Sequence, residues 1–78
     1  MQPASEIDWS QELDPGRVYG WSVVVAVQTV AQEHWGEYRP EPGTTAGQAL
    51  EEIRRLCADR MSAPESVVRL VTVRMAPQ

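Results

Sequence analysis

The sequence predicts a small α+β domain, with one amphipathic helix packed on one face of a sheet of two or three strands, in the order βαβ or ββαβ. Three segments predict it. Residues 19–30, YGWSVVVAVQTV, have the valine content of a buried strand, residues 45–60 have the apolar spacing of a surface helix, and residues 66–75, SVVRLVTVRM, suit another strand. With 78 residues, the chain has room for one such domain.

The first 16 residues, MQPASEIDWSQELDPG, are polar and acidic and end in a turn signal, so we expect an N-terminal arm (1–16) before a domain (17–78). Ser5 is a suitable helix N-cap, and Trp9 and Leu13 would then lie on one face of a short helix. A helix this short is marginal alone. The arm is therefore either disordered or docked, on its own body or on a partner, and its apolar residues favour docking.

The valine-rich run at 19–30 fits both a strand and a helix. As a strand, the alternate residues from Tyr19 to Val27 form a continuous apolar face, whereas a helix would place residues 23, 26, 27, 30 and 31 in one stripe. Valine and threonine fill six of the eight positions from 23 to 30. Because β-branched side chains lose rotamer freedom in helices and pack well on sheets, we predict a strand. The helical alternative is strongest for the tail, AQEHWG.

Within residues 32–43, QEHWGEYRPEPG, the stretch HWGEYR forms either a second strand, hairpinned to the first, or part of a connecting loop. Trp35 and Tyr38 suit a strand, and Gly36 suits a bulge. The prolines at 40 and 42 end the segment, because proline cannot continue a central ladder.

The predicted helix from about Thr45 to Arg60 is the clearest element. Thr45 and Gln48 have the spacing of a capping box, and Glu51 and Arg55 are placed for an i,i+4 ion pair on the solvent side. The apolar stripe consists of Ala46, Ala49, Leu50, Ile53, Leu56, Cys57 and Met61. Since it lies on this stripe, Cys57 is interpreted as a buried small hydrophobe and not as a reactive thiol.

One helix covers only one face of a small sheet, and the opposite face is expected to carry Val18, Val24, Ala26 and Val30, with Val68 and Leu70 from the last strand. An apolar patch of several hundred Å² usually marks an interface. We therefore expect this second face, or a sheet edge, to pair with another copy of the chain. The candidate contact residues are Trp9, Leu13, Val24, Val30 and Trp35.

The predicted function is therefore non-enzymatic protein–protein interaction or assembly, by a homodimer or larger oligomer, with another protein as a further candidate partner. Lysine, phenylalanine and asparagine are absent, which indicates a GC-rich genome, so we expect a product of an accessory or viral gene cluster in bacteria.

An alternative is a small nucleic-acid-binding regulator that uses the arginines at 54, 55, 60, 69 and 74, although a net charge of −4 makes nucleic acid an unfavoured partner. A further alternative is a ligand-binding oligomer with Trp21 or Trp35 lining the pocket.

Several kinds of chemistry are not expected. The chain has one cysteine and one histidine, too few for a disulfide or a Cys/His zinc cluster, and no cofactor or metal site is predicted. His34 is interpreted as a solvated loop histidine and not as a general base. No apolar run approaches the ~20 residues of a membrane span. No signal peptide is recognised, so we expect a cytoplasmic protein without membrane contact.

The segment PEPGTTAGQALEEIRRLC is similar to the strand end, loop and helix start of β-grasp, ubiquitin-like domains. The resemblance covers about half the chain when the two preceding strands are included, and it implies ββαβ order and a role as an adaptor. The chain ends at Pro77-Gln78 without a Gly-Gly pair, so conjugation by the usual route is not expected.

Overall fold

A computed structural model describes residues 2–3 and 8–78 of the chain. The elements are strand β1 (Gln2–Pro3), strand β2 (Tyr19–Val27), strand β3 (Val30–Tyr38), helix α1 (Ala46–Arg60), a 3-10 turn (Glu65–Val67) and strand β4 (Arg69–Pro77). They form one antiparallel sheet in the order β1-β4-β2-β3. The predicted α+β class is confirmed, with ββαβ order over the three long strands; β1 is a short addition beside β4.

The valine-rich run divides at a two-residue turn, Gln28-Thr29, into β2 and the start of β3. Val27 pairs with Val30, and Tyr19 pairs with Tyr38. The strand prediction is confirmed, and the helical alternative for AQEHWG is excluded because those residues lie in β3. Gln28 has φ 55°, a conformation that asparagine or glycine normally supplies in such turns. Because glutamine is not a typical residue for this conformation, the sequence does not indicate a turn here.

The core lies between the sheet and α1. Val23 and Val25 of β2, Val73 of β4, and Ile53 and Cys57 of α1 are its largest fully buried side chains. The prediction that Cys57 is a core residue is confirmed, and this burial raises the pKa of its thiol. The thiol is therefore held in its unreactive protonated form.

The capping box of α1 is confirmed. Thr45 Oγ1 accepts a hydrogen bond from the Gln48 N–H at 3.3 Å, and Gln48 Oε1 accepts one from the Thr45 N–H at 3.0 Å. The placement of Leu56 in the buried stripe is wrong, since this side chain is 41% exposed. The buried line through Ile53 and Cys57 is flanked by the small Ala58 instead.

The ion pairs on α1 also differ from the prediction. Glu51 pairs with Arg54 at 2.7 Å, one residue earlier than the expected Arg55. Arg55 pairs instead with Glu65 at 2.9 Å, across the turn that leads into β4. Both pairs are exposed and contribute little to stability.

Residues 8–16 pack on the body, as the docked alternative predicts, but residues 8–13 do not form the predicted helix; Ser5, its expected N-cap, lies outside the described residues. The first amides of a helix have no partner within the helix, and this segment supplies two acceptors. Ala46 N–H donates to Gln11 O at 2.8 Å, and Gly47 N–H donates to Trp9 O at 3.0 Å. The carbonyl groups of Trp9 and Gln11 thus accept hydrogen bonds from the first amides of α1 instead of from amides of a helix of their own.

The last strand begins later than predicted. Residues 65–67 form a 3-10 turn, and β4 runs from Arg69 to Pro77 instead of over 66–75. Val68, between the turn and the strand, is buried in the core. A register shift between Val24 and Val25 of β2 places one extra residue in β4, so the side-chain alternation of β4 changes phase at this point.

Trp21 connects β2, β3 and the C-terminal end of α1. Gly36 is its cross-strand partner, and a Cβ at Gly36 would lie 2.8 Å from Trp21 Cζ2. The Arg60 guanidinium lies 5.7 Å from the centre of the Trp21 ring and donates a 3.3 Å hydrogen bond to Trp35 O. Gly36 lies in register with β2 and not in the expected bulge. Glycine fits at this position because the indole of Trp21 occupies the space that a Cβ would need.

Replacing Gly36 by alanine is expected to lower the free energy of unfolding by about 1–3 kcal/mol, because the new methyl group overpacks against the buried Trp21 ring. Urea unfolding of the purified protein measures this change. Gly20→Ala is the matched control, since its methyl group would meet only the flexible side chain of Gln78, at 3.1 Å. Equal losses in the two variants would contradict the account of Gly36.

Tyr38 gives a second prediction. Its hydroxyl donates a hydrogen bond to Glu52 of α1. Burial is the larger cause and this hydrogen bond the next, and together they raise the pKa of Tyr38 to about 12. An unfolded tyrosine titrates near pH ~10. The raised pKa therefore contributes stability below pH ~10, and this contribution is lost as the pH rises toward about 12.

Urea titrations at several pH values are expected to show the unmodified protein more stable than Tyr38→Phe at neutral pH, with the difference shrinking at alkaline pH. Glu52→Gln keeps an acceptor without the charge and should reduce the same pH dependence. A constant difference between Tyr38→Phe and the unmodified protein across this range would refute the assignment.

Candidate functional site

We call the sheet surface opposite α1 the open face. On β2, Trp21, Val23 and Val25 are buried toward α1, so the even-numbered residues point away from it. The strand register adds the corresponding residues of the two neighbouring strands. The open face consists of Gly20, Ser22, Val24 and Ala26 of β2, Ala31, Glu33, Trp35 and Glu37 of β3, and Arg69, Thr72, Arg74 and Ala76 of β4.

Trp35 and Arg74 stand on either side of Ser22, which pairs with both of them. The Trp35 side chain is 66% exposed. Together with Gly20 and Gln78, these residues line a shallow depression of about 370 Å³. The small residues of the central strand thus form the floor, and the longer side chains of the outer strands form the two walls.

The charges on the open face are separated by strand. Glu33 and Glu37 flank Trp35 on β3, whereas Arg69 and Arg74 lie on β4. With β2 between them, the acidic and basic strands are about 10 Å apart. None of these four side chains forms an ion pair with another residue of the described ranges.

The five candidate contact residues do not share one surface. Val24 is half-buried at the centre of the open face and Trp35 is exposed beside it, but Val30 lies on the α1 side because it pairs with Val27 after the turn. Leu13 is only 8% exposed and packs against Ala46 and Ala49 of its own chain, with Trp9 half-buried on the same cluster.

The open face is also less apolar than the sequence suggested. Val68 is buried in the core and Leu70 packs against it, so neither belongs to the second face as expected. Arg69 takes a place there because the register shift changes the phase of β4. Once β3 is known to be a strand, the alternation Glu33-Trp35-Glu37 is readable in the sequence, whereas the position of Arg69 is not.

Three of the arginines proposed for nucleic-acid binding are already engaged on α1. Arg54 bonds to Glu51 and to Glu65 O at 2.6 Å, Arg55 pairs with Glu65, and Arg60 contacts Trp35 O. The other two, Arg69 and Arg74, lie on the open face, across the sheet from the helix. The five arginines therefore do not form one basic surface.

His34, expected in a solvated loop, lies in β3 and is half-buried. Its Nε2 atom is enclosed and has no hydrogen-bond partner among the described residues. Within the same ranges, no three His, Cys, Asp or Glu side chains are grouped closely enough to hold a metal ion. None of the helices described there has the length and apolarity to cross a membrane.

No family model, curated protein or solved structure matches this chain. The β-grasp resemblance therefore gains no independent support. The open face combines an exposed indole, a shallow floor and two strands of opposite charge.

Proposed function

We propose that the protein is a non-enzymatic interaction module that binds a second copy of itself through the open face. The observation that carries the proposal is the 66% exposed indole of Trp35 on a sheet face that α1 does not cover. A single exposed apolar side chain needs no explanation. Here, however, the indole lies next to Val24 and above a floor of small residues, and tryptophan is enriched at interface hot spots.

The size of the open face indicates a weak association. Three strands of nine residues give a surface of roughly 14 by 30 Å, or about 400 Å² in projection for each copy. Two copies together cover about 800 Å² in projection; the accessible surface they bury is larger because side chains add relief, which places the interface near the lower end of the ~1,200–2,000 Å² of stable complexes. We therefore expect dissociation constants in the micromolar range or above, and assembly that responds to concentration.

The arrangement of the arginines supports this proposal over the nucleic-acid alternative. Phosphate backbones require clustered cations, and here the helix arginines face away from Arg69 and Arg74. Glu33 and Glu37 lie on the same face as that second pair and would repel a phosphate backbone. The cytoplasmic location and the accessory or viral gene cluster expected from the sequence remain predictions.

The ligand-binding alternative is favoured by the depression between Trp35 and Arg74, where a flat anionic ligand would find an aromatic ring and a guanidinium. Tryptophan fluorescence against a metabolite panel tests it in dilute protein, where little dimer forms. A saturable change that Trp35→Ala abolishes would favour a ligand over a second copy.

Sedimentation velocity from roughly 10 µM to 1 mM protein brackets the affinity expected for an interface of this size. The unmodified protein is expected to shift toward a dimer as concentration rises, and Trp35→Ala to remain a monomer. Val30→Ala is the matched control, because Val30 is 51% exposed on the same strand but on the α1 side.

Either of two results would refute the proposal. One is a monomer throughout the concentration range. The other is a dimer that Val30→Ala weakens as strongly as Trp35→Ala does. Circular dichroism checks that both variants keep the fold, as expected for substitutions of exposed side chains.

A further inference from the structure

The charge pattern of the open face is self-complementary. It carries two carboxylates on β3, Glu33 and Glu37, and two guanidiniums on β4, Arg69 and Arg74. The chain as a whole has a net charge of −4, but the open face by itself is balanced. Two copies can therefore approach here without the repulsion that the whole molecules would otherwise feel.

Only one kind of two-fold stacking uses this balance. An axis parallel to β2, lying between two stacked sheets, places β3 of each copy over β4 of the other. An axis perpendicular to the strands in the same plane places β3 over β3 and β4 over β4, with like charges opposed. Face-to-face two-fold pairs are isologous, so whichever contact forms occurs twice.

We infer that two copies stack open face to open face about an axis parallel to β2, with Trp35 of each copy resting on the partner's Arg74. This inference rests on the proposed function and specifies its geometry. Because Ser22 pairs with both Trp35 and Arg74, the parallel axis keeps this row of residues aligned between copies. Ser22 then lies on the axis, where a small residue is needed.

The side chains suit the space between two such sheets, which pack about 10 Å apart. An indole and a guanidinium, one from each copy, fill that gap by stacking, an interaction that strengthens when water is excluded. Glu33 and Glu37 of the partner stand one row to either side, about 7 Å along the strand. Each Arg74 thus lies against an aromatic ring between two carboxylates.

Pairing through the free edge of β3 is less favourable. The Trp35 carbonyl in the middle of that strand already accepts a hydrogen bond from Arg60, and Gln32, Glu33 and Glu37 make the edge polar. Edge pairing would also leave Arg74 two strands away from the contact. Substitutions at Arg74 therefore distinguish stacked faces from pairing through the β3 edge.

A charge exchange between two variants tests the inference. Arg74→Glu alone and the double variant Glu33→Arg/Glu37→Arg alone are each expected to self-associate at least ten-fold more weakly, because each opposes like charges across the axis. Mixed in equal amounts, they are expected to form a heterodimer much tighter than the self-association of either variant, because both contacts then pair opposite charges. Sedimentation of the single variants and the mixture measures this.

Arg55→Glu is the matched control. It carries the same change in net charge as Arg74→Glu on the exposed surface of α1, and it should self-associate like the unmodified protein. If Arg55→Glu weakens association as much as Arg74→Glu, net charge and not the stacked geometry is responsible, and the inference is overturned.

Two further outcomes separate the inference from the proposed function. A dimer that needs Trp35 but is insensitive to Arg74→Glu would overturn the stacked geometry and leave self-association through the open face standing. A monomer under all conditions would overturn both. A mixture that fails to associate, although both variants remain folded, would also overturn the geometry.

Discussion

The structure depends on one constraint: a single helix of 15 residues, the one α-helix in the described ranges, has the three long strands of the sheet to cover. It covers one face, and there the core closes completely around Val23, Val25, Ile53 and Cys57. The opposite face has no second layer of secondary structure in residues 8–78. A two-layer domain of this size gains its stability on one side of the sheet and leaves the other side available.

The rest of the described chain strengthens the covered side. Residues 8–16 bring Leu13 under the start of α1 and supply acceptors for its first amides. At the other end of the helix, Arg60 reaches over Trp21 to the backbone of β3. The N-terminal end of α1 is thus fixed to residues 8–16 and its C-terminal end to the sheet. Because both segments pack on the α1 side of the sheet, neither of them covers Trp35 or Val24 on the open face.

Local signals in the sequence were sufficient where the relevant physics is local. The capping residues Thr45 and Gln48 predicted the start of α1, and β-branched composition predicted β2. Cys57 was correctly assigned to the core. In each case the side chain's own chemistry decides its structural role, so neighbours that are distant in sequence do not change the outcome.

The failures share a different cause. The turn at Gln28 uses a residue that tolerates positive φ poorly, so no pattern marks it, and Val30 was placed on the wrong face as a result. The extra residue in β4 reverses its alternation, which moves Arg69 to the open face. Leu13 is buried by backbone hydrogen bonds to residues more than thirty positions away. Such non-local events are not encoded in short-range periodicity.

The central claim is that the uncovered side of the sheet is an interface, and the three tryptophans, Trp9, Trp21 and Trp35, allow a direct test. In 15N-labelled protein, the indole N–H signals report on the α1 N-terminus, the core and the open face in a single spectrum. Raising the protein concentration is expected to shift the signal of Trp35 progressively while those of Trp9 and Trp21 stay fixed. A Trp35 signal that does not move, or a shift confined to Trp9, would contradict the account.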